Sequence, residues 1–405
     1  MPDRTQARRR AGIQVAESKE NVLPVCAIYG SNASGKSNLL KALKFVESAV
    51  LHSHRLWEPD GPIPLHTFGM GTTGGEAEFS VDFLIGGVRY QFGFRATHKE
   101  ITKEWLFYYP AGRRNIWFSR TSEGMTFGRG FPGDNRKIAA LMRRNSLFLS
   151  TAAQNNHETL LPVYQWFQHT LLFASGNKMA PLVTLRMCDN EEHRKQIAAL
   201  MSFADLGIAD LLIEKTPKET NEKMIRALGA MMRELEVNEP MPDFTPPDKI
   251  AMVHQIGEAA IHFDRSDESE GTLAYLALAG PVLFALENSS VLVIDEIDSS
   301  LHPNLTSFLV RLFTSATSNP RGGQLIFTTH DTTLLENRTP EMAALTRDEI
   351  WLVQKDTSGA SSLYPLSDFK PVKGEDTHRF YLSGRFGGVP FINTERIVER
   401  LRSNE

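Results

Sequence analysis

An α/β fold built on a parallel sheet, with an antiparallel β subdomain and a helical insertion, is predicted by three features of this 405-residue chain. The first is Gly30–Ser37, which reads G-x-x-x-x-G-K-S between an apolar run and an amphipathic one. The second is the apolar run Ser290–Ile294, which ends in Asp295 and Glu296. The third is an alternating apolar and polar pattern, rich in aromatic residues, in runs between Glu78 and Tyr109.

Gly30–Ser37 has the context a phosphate loop needs. Val22–Tyr29 reads as a buried strand, and Asn38–Val46 reads as a helix with one apolar stripe. The two glycines let successive backbone N–H groups of Gly30, Ser31, Asn32, Ala33, Ser34, Gly35 and Lys36 wrap an anion at a helix N-terminus. Lys36 supplies a point charge to the β- and γ-phosphates, and the Ser37 hydroxyl is a ligand for Mg²⁺. The candidate nucleotide residues run on to Asn38.

The run Ser290–Ile294 lacks polar alternation, so it predicts a strand buried on both faces. Its C-terminal end is where open α/β sheets bind ligands. Asp295 is the candidate Mg²⁺ residue, and Glu296 the candidate base that orients and deprotonates a water. Gly323–Thr329 predicts a neighbouring strand that ends at His330, a candidate γ-phosphate contact. Upstream, Ser269 and Gly271 open the apolar helix Leu273–Ala279, and such a helix terminus is an anion site.

In the region with the alternating pattern, Phe79, Val81 and Phe83, then Tyr90, Phe92 and Phe94, then Trp105 and Phe107 mark three strands. Gly86 and Gly87 suit a hairpin turn. Ile116–Phe118 and Met125–Phe127 read as further strands. Lys137–Met142, Leu160–Phe173, Glu191–Leu206 and Lys218–Leu235 read as helices, and the proline-rich 239–248 as a linker. Strands are expected near Lys249–Gln255 and Ala259–Asp264. The expected organisation is a basic segment 1–20, a first lobe 21–160, a helical insertion with its linker 161–248, and a second lobe 249–405. Arg143 and Arg144 read as a solvated helix face, with a phosphate contact as the alternative.

Lysines and arginines number 44 against 48 acids, a net charge of −4 that argues against a general nucleic-acid coat. Cys26 and Cys188 make neither a disulfide framework nor a zinc pattern, so a reducing cytoplasm is expected. No run of 18 uninterrupted apolar residues occurs, so no membrane span is expected.

The order of phosphate loop, signature helix, D-E strand and switch histidine resembles an ABC-type ATPase head. Ile28–Leu40, Glu268–Thr272, Ile294–Pro303, Thr328–Asp331, Arg347–Lys355 and Tyr381–Pro390 resemble the AbiL/RloA-type ATP-binding proteins of prokaryotic defence loci, close to the PARIS ATPase and to OLD-type heads. That resemblance implies the ABC-head fold, with ATP and Mg²⁺ as ligands. It implies that Ser269 and Gly271 act in trans on the γ-phosphate held by a second copy, so a homodimer or higher homo-oligomer is expected. It places Gln154 at the family's glutamine that touches Mg²⁺ and water. Relatives carry a strand pair before the phosphate loop, whereas Met1–Arg10 is polar and basic. Adenine contacts are therefore left unassigned.

The function expected is an ATP-hydrolysing subunit of an anti-phage or abortive-infection system that controls a separate nuclease- or RNase-type effector. Two alternatives stand beside it: a slow-turnover scaffold that sequesters a toxin, and a RecF-like ATPase that binds duplex DNA.

Overall fold

The computed structural model describes residues 13–14, 21–66, 75–175, 182–204, 207–214, 249–257, 259–336, 343–370 and 376–390. The expected helix Lys218–Leu235 and the linker 239–248 lie outside the described residues. The chain divides into two compact units. One comprises Met1–Phe173, Leu286–Asp295 and Val310–Glu405, and the other Ala174–Ala285 and Glu296–Leu309.

The first unit is built on a six-stranded sheet. Its order is Ser361–Pro365, Ile350–Lys355, Val25–Gly30, Gln324–Thr328, Val291–Asp295, Leu171–Ser175. Val25–Gly30 runs parallel to both Ile350–Lys355 and Gln324–Thr328, and Val291–Asp295 runs parallel to Gln324–Thr328. These strands are apolar without alternation because both faces are covered, and Ala27, Ile28, Leu292 and Ile294 are fully buried. The shared direction brings Gly30, Thr328 and Asp295 to the same sheet end. The register sets Ile28 beside Thr328 and Ile294 beside Phe327.

A five-stranded antiparallel sheet follows in the order Ala77–Ile85, Val88–Ala96, Ile101–Tyr109, Asn115–Thr121, Gly124–Phe127. Gly86 and Gly87 have φ of 56° and 78°, the left-handed pair that a two-residue hairpin turn demands. Phe92, Phe94 and Phe118 point from this sheet into the core, where they meet Val46, Ala49 and Val50 of the helix Lys36–His52 and Phe167 of Leu161–His169. Each fully buried phenylalanine contributes about 1.5–3 kcal/mol. Beneath the sheet, the buried Glu104 carboxylate accepts the N–H groups of Phe148 (2.7 Å) and Leu149 (3.0 Å) and so caps the helix Phe148–Gln154.

Two expectations change here. Leu160–Phe173 was expected to be one helix. It is helical only over Leu161–His169, and Leu171–Ser175 is the sheet's edge strand. That helix packs in the first unit's core instead of opening the insertion. Arg143 is not a solvated side chain: its guanidinium donates to Ser53 O (2.9 Å) and His54 O (2.8 Å) and so satisfies carbonyls where the helix Lys36–His52 ends. The strand pair ahead of the phosphate loop is present but short, with Ile13–Gln14 antiparallel to Asn21–Val22.

The second unit holds helices Leu182–Cys188 and Glu191–Phe203 and an antiparallel sheet of Ile208–Glu214, Lys249–Ile256 and Ala259–Asp264. Asn190 caps the second helix by accepting Glu192 N and His193 N. The long helix Glu270–Asn288 contains Pro281. Proline deprives the preceding turn of a donor. Thr184 compensates: its hydroxyl reaches Ala277 O (3.4 Å), the carbonyl Pro281 leaves without a donor, and it also donates to Leu276 O (2.9 Å) while accepting from Gly280 N (3.1 Å). A Cβ on Gly280 would stand 2.5 Å from Thr184 Cα, so only glycine fits. Among the described residues this helix is long and apolar enough to cross a membrane, but 67% of its apolar window is buried inside the protein, as in a core helix.

Candidate functional site

The phosphate loop leaves the sheet at Gly30 and returns as the helix Lys36–His52. Ser34 N donates to Ser31 O (3.2 Å), Ala33 has φ 60° and Gly35 φ 106°, so the backbone reverses tightly. Side chains are excluded at both glycines. A Cβ on Gly30 would lie 2.7 Å from Val353 O, and one on Gly35 would lie 2.5 Å from Ser361 Oγ. Ser361 braces the loop from the sheet's edge strand, one strand removed from Val25–Gly30, by donating to Ser34 O at 2.6 Å. The Lys36 ammonium donates to Gly30 O (2.8 Å) and Ser31 O (3.1 Å), which holds its charge inside the loop.

The loop suits a polyphosphate. The helix begins at Gly35 without a side-chain cap and without an acid in its own first turn, the arrangement in which a helix dipole and first-turn N–H groups favour an anion. Ser34 is 2% exposed, and its hydroxyl has no hydrogen-bond partner in the protein. Asn38 is exposed on the first turn, where its N–H donates to Gly35 O.

Asp295 joins this loop from the parallel sheet. Its Oδ1 accepts the Ser37 hydroxyl at 3.1 Å and the Thr328 hydroxyl at 2.6 Å. An oxygen-rich pair of hydroxyl and carboxylate suits a hard divalent cation such as Mg²⁺. Among the described residues, no cluster of three or more His, Cys, Asp or Glu side chains offers another metal centre. Thr328 was not anticipated as a site residue. Its signal was a hydroxyl at the end of the strand beside the D-E strand.

Glu296, next in the chain after Asp295, has φ 54°. A non-glycine residue in the left-handed region is costly and clusters at functional turns. His330 is exposed two positions beyond Thr328. Thr329 N, beside it, donates to Ile28 O at 3.1 Å.

Gln154 is not part of this cluster. It ends the helix Phe148–Gln154, and its amide donates to Tyr164 OH at 3.4 Å. Tyr164 in turn donates to Leu51 O, at the far end of the helix that Lys36 begins. Fifteen residues of helix separate Leu51 from Lys36, about 22 Å at 1.5 Å per residue. The structure therefore removes Gln154 from the metal site.

Within the second unit, Ser269 accepts Thr272 N at 3.1 Å and caps the helix Glu270–Asn288. A Cβ on Gly271 would stand 2.9 Å from Ser300 O, so this helix start and the 297–303 turn are packed backbone to side chain-free backbone. Ser300 is itself left-handed, with φ 63°. Just upstream, His254 Nε2 lies 2.5 Å from Glu268 Oε1.

No curated protein matches the chain. Solved structures with similar folds include an SmcHead bound to the C-winged helix domain of ScpA, at 16% identity and TM-score 0.39, covering 88% of this chain and 97% of that one. An Smc head with an extended coiled coil, bound to the C-terminal domain of ScpA derived from Pyrococcus furiosus, matches at 15% identity and TM-score 0.35 over 88% and 96% of the two chains. CbiO1 from Clostridium perfringens, part of an ABC transporter complex, matches at 10% identity and TM-score 0.29 over 98% and 97%. A family profile described as "AAA domain, putative AbiEii toxin, Type IV TA system" matches residues 25–336, from the strand before Gly30–Ser37 to just past His330. The chain belongs to that AAA-domain family of P-loop ATPases.

Proposed function

We propose that this chain binds ATP with Mg²⁺, hydrolyses it, and uses ATP-driven association of two copies to control a separate effector in prokaryotic anti-phage defence. One observation carries the ATPase reading: Asp295 Oδ1 accepts from both Ser37 and Thr328 at the mouth of a loop that holds Lys36. The matched family's description, which names a toxin-antitoxin system, supports the link to a toxic effector.

Ser37 would hold the metal directly and Asp295 through the ion's water shell. When bound, the cation neutralises charge on the β- and γ-phosphates. Lys36 binds the same oxygens once it turns from the Gly30 and Ser31 carbonyls to the ligand. The first-turn N–H groups orient the phosphate chain. Glu296 takes a proton from the attacking water, and His330 holds that water against the γ-phosphate. Ser269 and Gly271 close over the γ-phosphate of a second copy. The ATP-bound pair and the released pair then differ by one contact, the γ-phosphate, which gives ATP leverage over a partner.

Titration with a fluorescent ATP analogue tests the core of this reading. Lys36→Ala should weaken binding by about tenfold or more. Equal affinity in the two proteins would contradict a nucleotide loop at Gly30–Ser37. Co-purification of a nuclease- or RNase-type product encoded beside this gene would support the effector role.

A further inference from the structure

We infer that Tyr29 is a positioning residue that fixes His330 relative to the phosphate loop, an inference that rests on the ATPase reading above. Tyr29 is the last residue before Gly30 and is fully buried. Packing alone would accept an aliphatic side chain there, as at Ala27 and Ile28. Tyrosine adds a hydroxyl, and that hydroxyl donates to Asp331 O at 3.0 Å.

Asp331 is the residue after His330. Thr329, the residue before it, donates its N–H to Ile28 O at 3.1 Å. The backbone on both sides of His330 is thus tied to the two residues that lead into the loop. Asp331 N also donates to Thr329 Oγ1 at 2.9 Å, which fixes the turn between the two ties. Two of these restraints, the Tyr29 and Thr329 hydroxyls, can be deleted without altering backbone, and the Tyr29 hydroxyl is the one that ties the segment to the strand before the loop.

The far side of the tyrosine is held as well. Its ring meets Tyr381 edge-on, with centroids 5.7 Å apart. Tyr381 belongs to the helix Thr377–Leu382, whose His378 Nε2 lies 3.0 Å from Thr332 Oγ1. The Tyr381 hydroxyl donates to Gly388 O at 3.2 Å. Burial pushes Tyr381 up to about 12, so it stays a neutral donor. Gly388 packs close to the start of the loop, where an added Cβ would be 3.8 Å from Gly30 Cα. The Tyr381–Pro390 turn and the switch segment therefore converge on the same tyrosine. Tyr29 touches no reacting atom. Its effect on catalysis runs through where His330 sits.

The test is a double-mutant cycle with ATP. Tyr29→Phe keeps the ring and removes one oxygen. The expected result is a kcat lower by about three- to tenfold, the loss of one hydrogen bond, with the dissociation constants for ADP and for a non-hydrolysable ATP analogue unchanged. In a His330→Ala background the same substitution should leave kcat unaltered, because the residue it positions is gone. Equal losses in both backgrounds, or nucleotide affinity falling in step with kcat, would overturn the assignment. Should Tyr29→Phe fail to fold, Thr332→Val loosens the same segment from the His378 side and should give the same split, with the same pattern overturning the idea. Absence of turnover in the wild-type protein would sink the ATPase reading itself, a result distinct from additive losses in an active enzyme.

Discussion

The Ser37 hydroxyl donates to Asp295 Oδ1 at 3.1 Å, across 258 positions of sequence. Parallel pairing makes this possible, since three neighbouring strands end at Gly30, Thr328 and Asp295. Asp295→Asn keeps the shape and removes the charge that a divalent cation requires. Mg²⁺ should strengthen ATP-analogue binding by the wild type and add little in the variant. Titrations with and without Mg²⁺ check this, and an unchanged Mg²⁺ response would place the metal elsewhere. Thr328→Val removes one donor to the same oxygen and should cost less, about threefold to tenfold in kcat.

Gly271 has two reasons to be glycine. Ser300 O leaves no room for a Cβ, and the proposed role in trans needs an open helix start. Gly271→Glu should therefore lower stability by about 1–3 kcal/mol through crowding, besides blocking ATP-driven closure. Thermal melting reads the first effect. Mixing Gly271→Glu protomers with Lys36→Ala protomers reads the second. In a mixed pair one site carries both lesions and the other carries none, so turnover should partly return. No return in pairs proven to be mixed would mean that each copy completes its own site.

Glu104 predicts a pH dependence of stability. Burial pushes its carboxyl up to about 7, against the opposing pull of Arg120 and the N–H groups of Phe148 and Leu149. Unfolded, the group titrates near the ordinary 4.5. Between those values the native state keeps a proton that the unfolded chain has lost. The native state then binds more protons, so this group's contribution to stability falls as pH rises through the window and levels off above it. Glu104→Gln cannot titrate. The wild type should lose melting temperature relative to the variant between about pH 5 and about pH 7.5. A constant difference across that range would refute a raised Glu104.

Much of the site was legible because its signals are local. Gly30–Ser37 carries its own turn chemistry, and Val291–Asp295 is apolar throughout because both faces are buried. The antiparallel sheet was legible from its period of two and from Gly86 and Gly87. Long-range geometry was not. Gln154 follows the antiparallel sheet in sequence, but the helix Lys36–His52 carries the chain away from the loop before Tyr164 meets Leu51. Thr328 looks like an ordinary β-former until the register sets it beside Asp295. Leu171–Ser175 merged with the preceding helix because a short apolar run has no period of its own. Arg143 resembles a solvated charge in sequence, since nothing local marks the helix end at Ser53 that it satisfies.

Turnover by Glu296→Gln tests the central claim most directly. The variant keeps Lys36, Ser37 and Asp295, so it should bind ATP as the wild type does. Removing the base should lower kcat by about 10²-fold or more, with ATP-bound pairs accumulating in size-exclusion chromatography. ATP hydrolysis at the wild-type rate in this variant would contradict the account, because the residue at the end of the D-E strand would then not be the base.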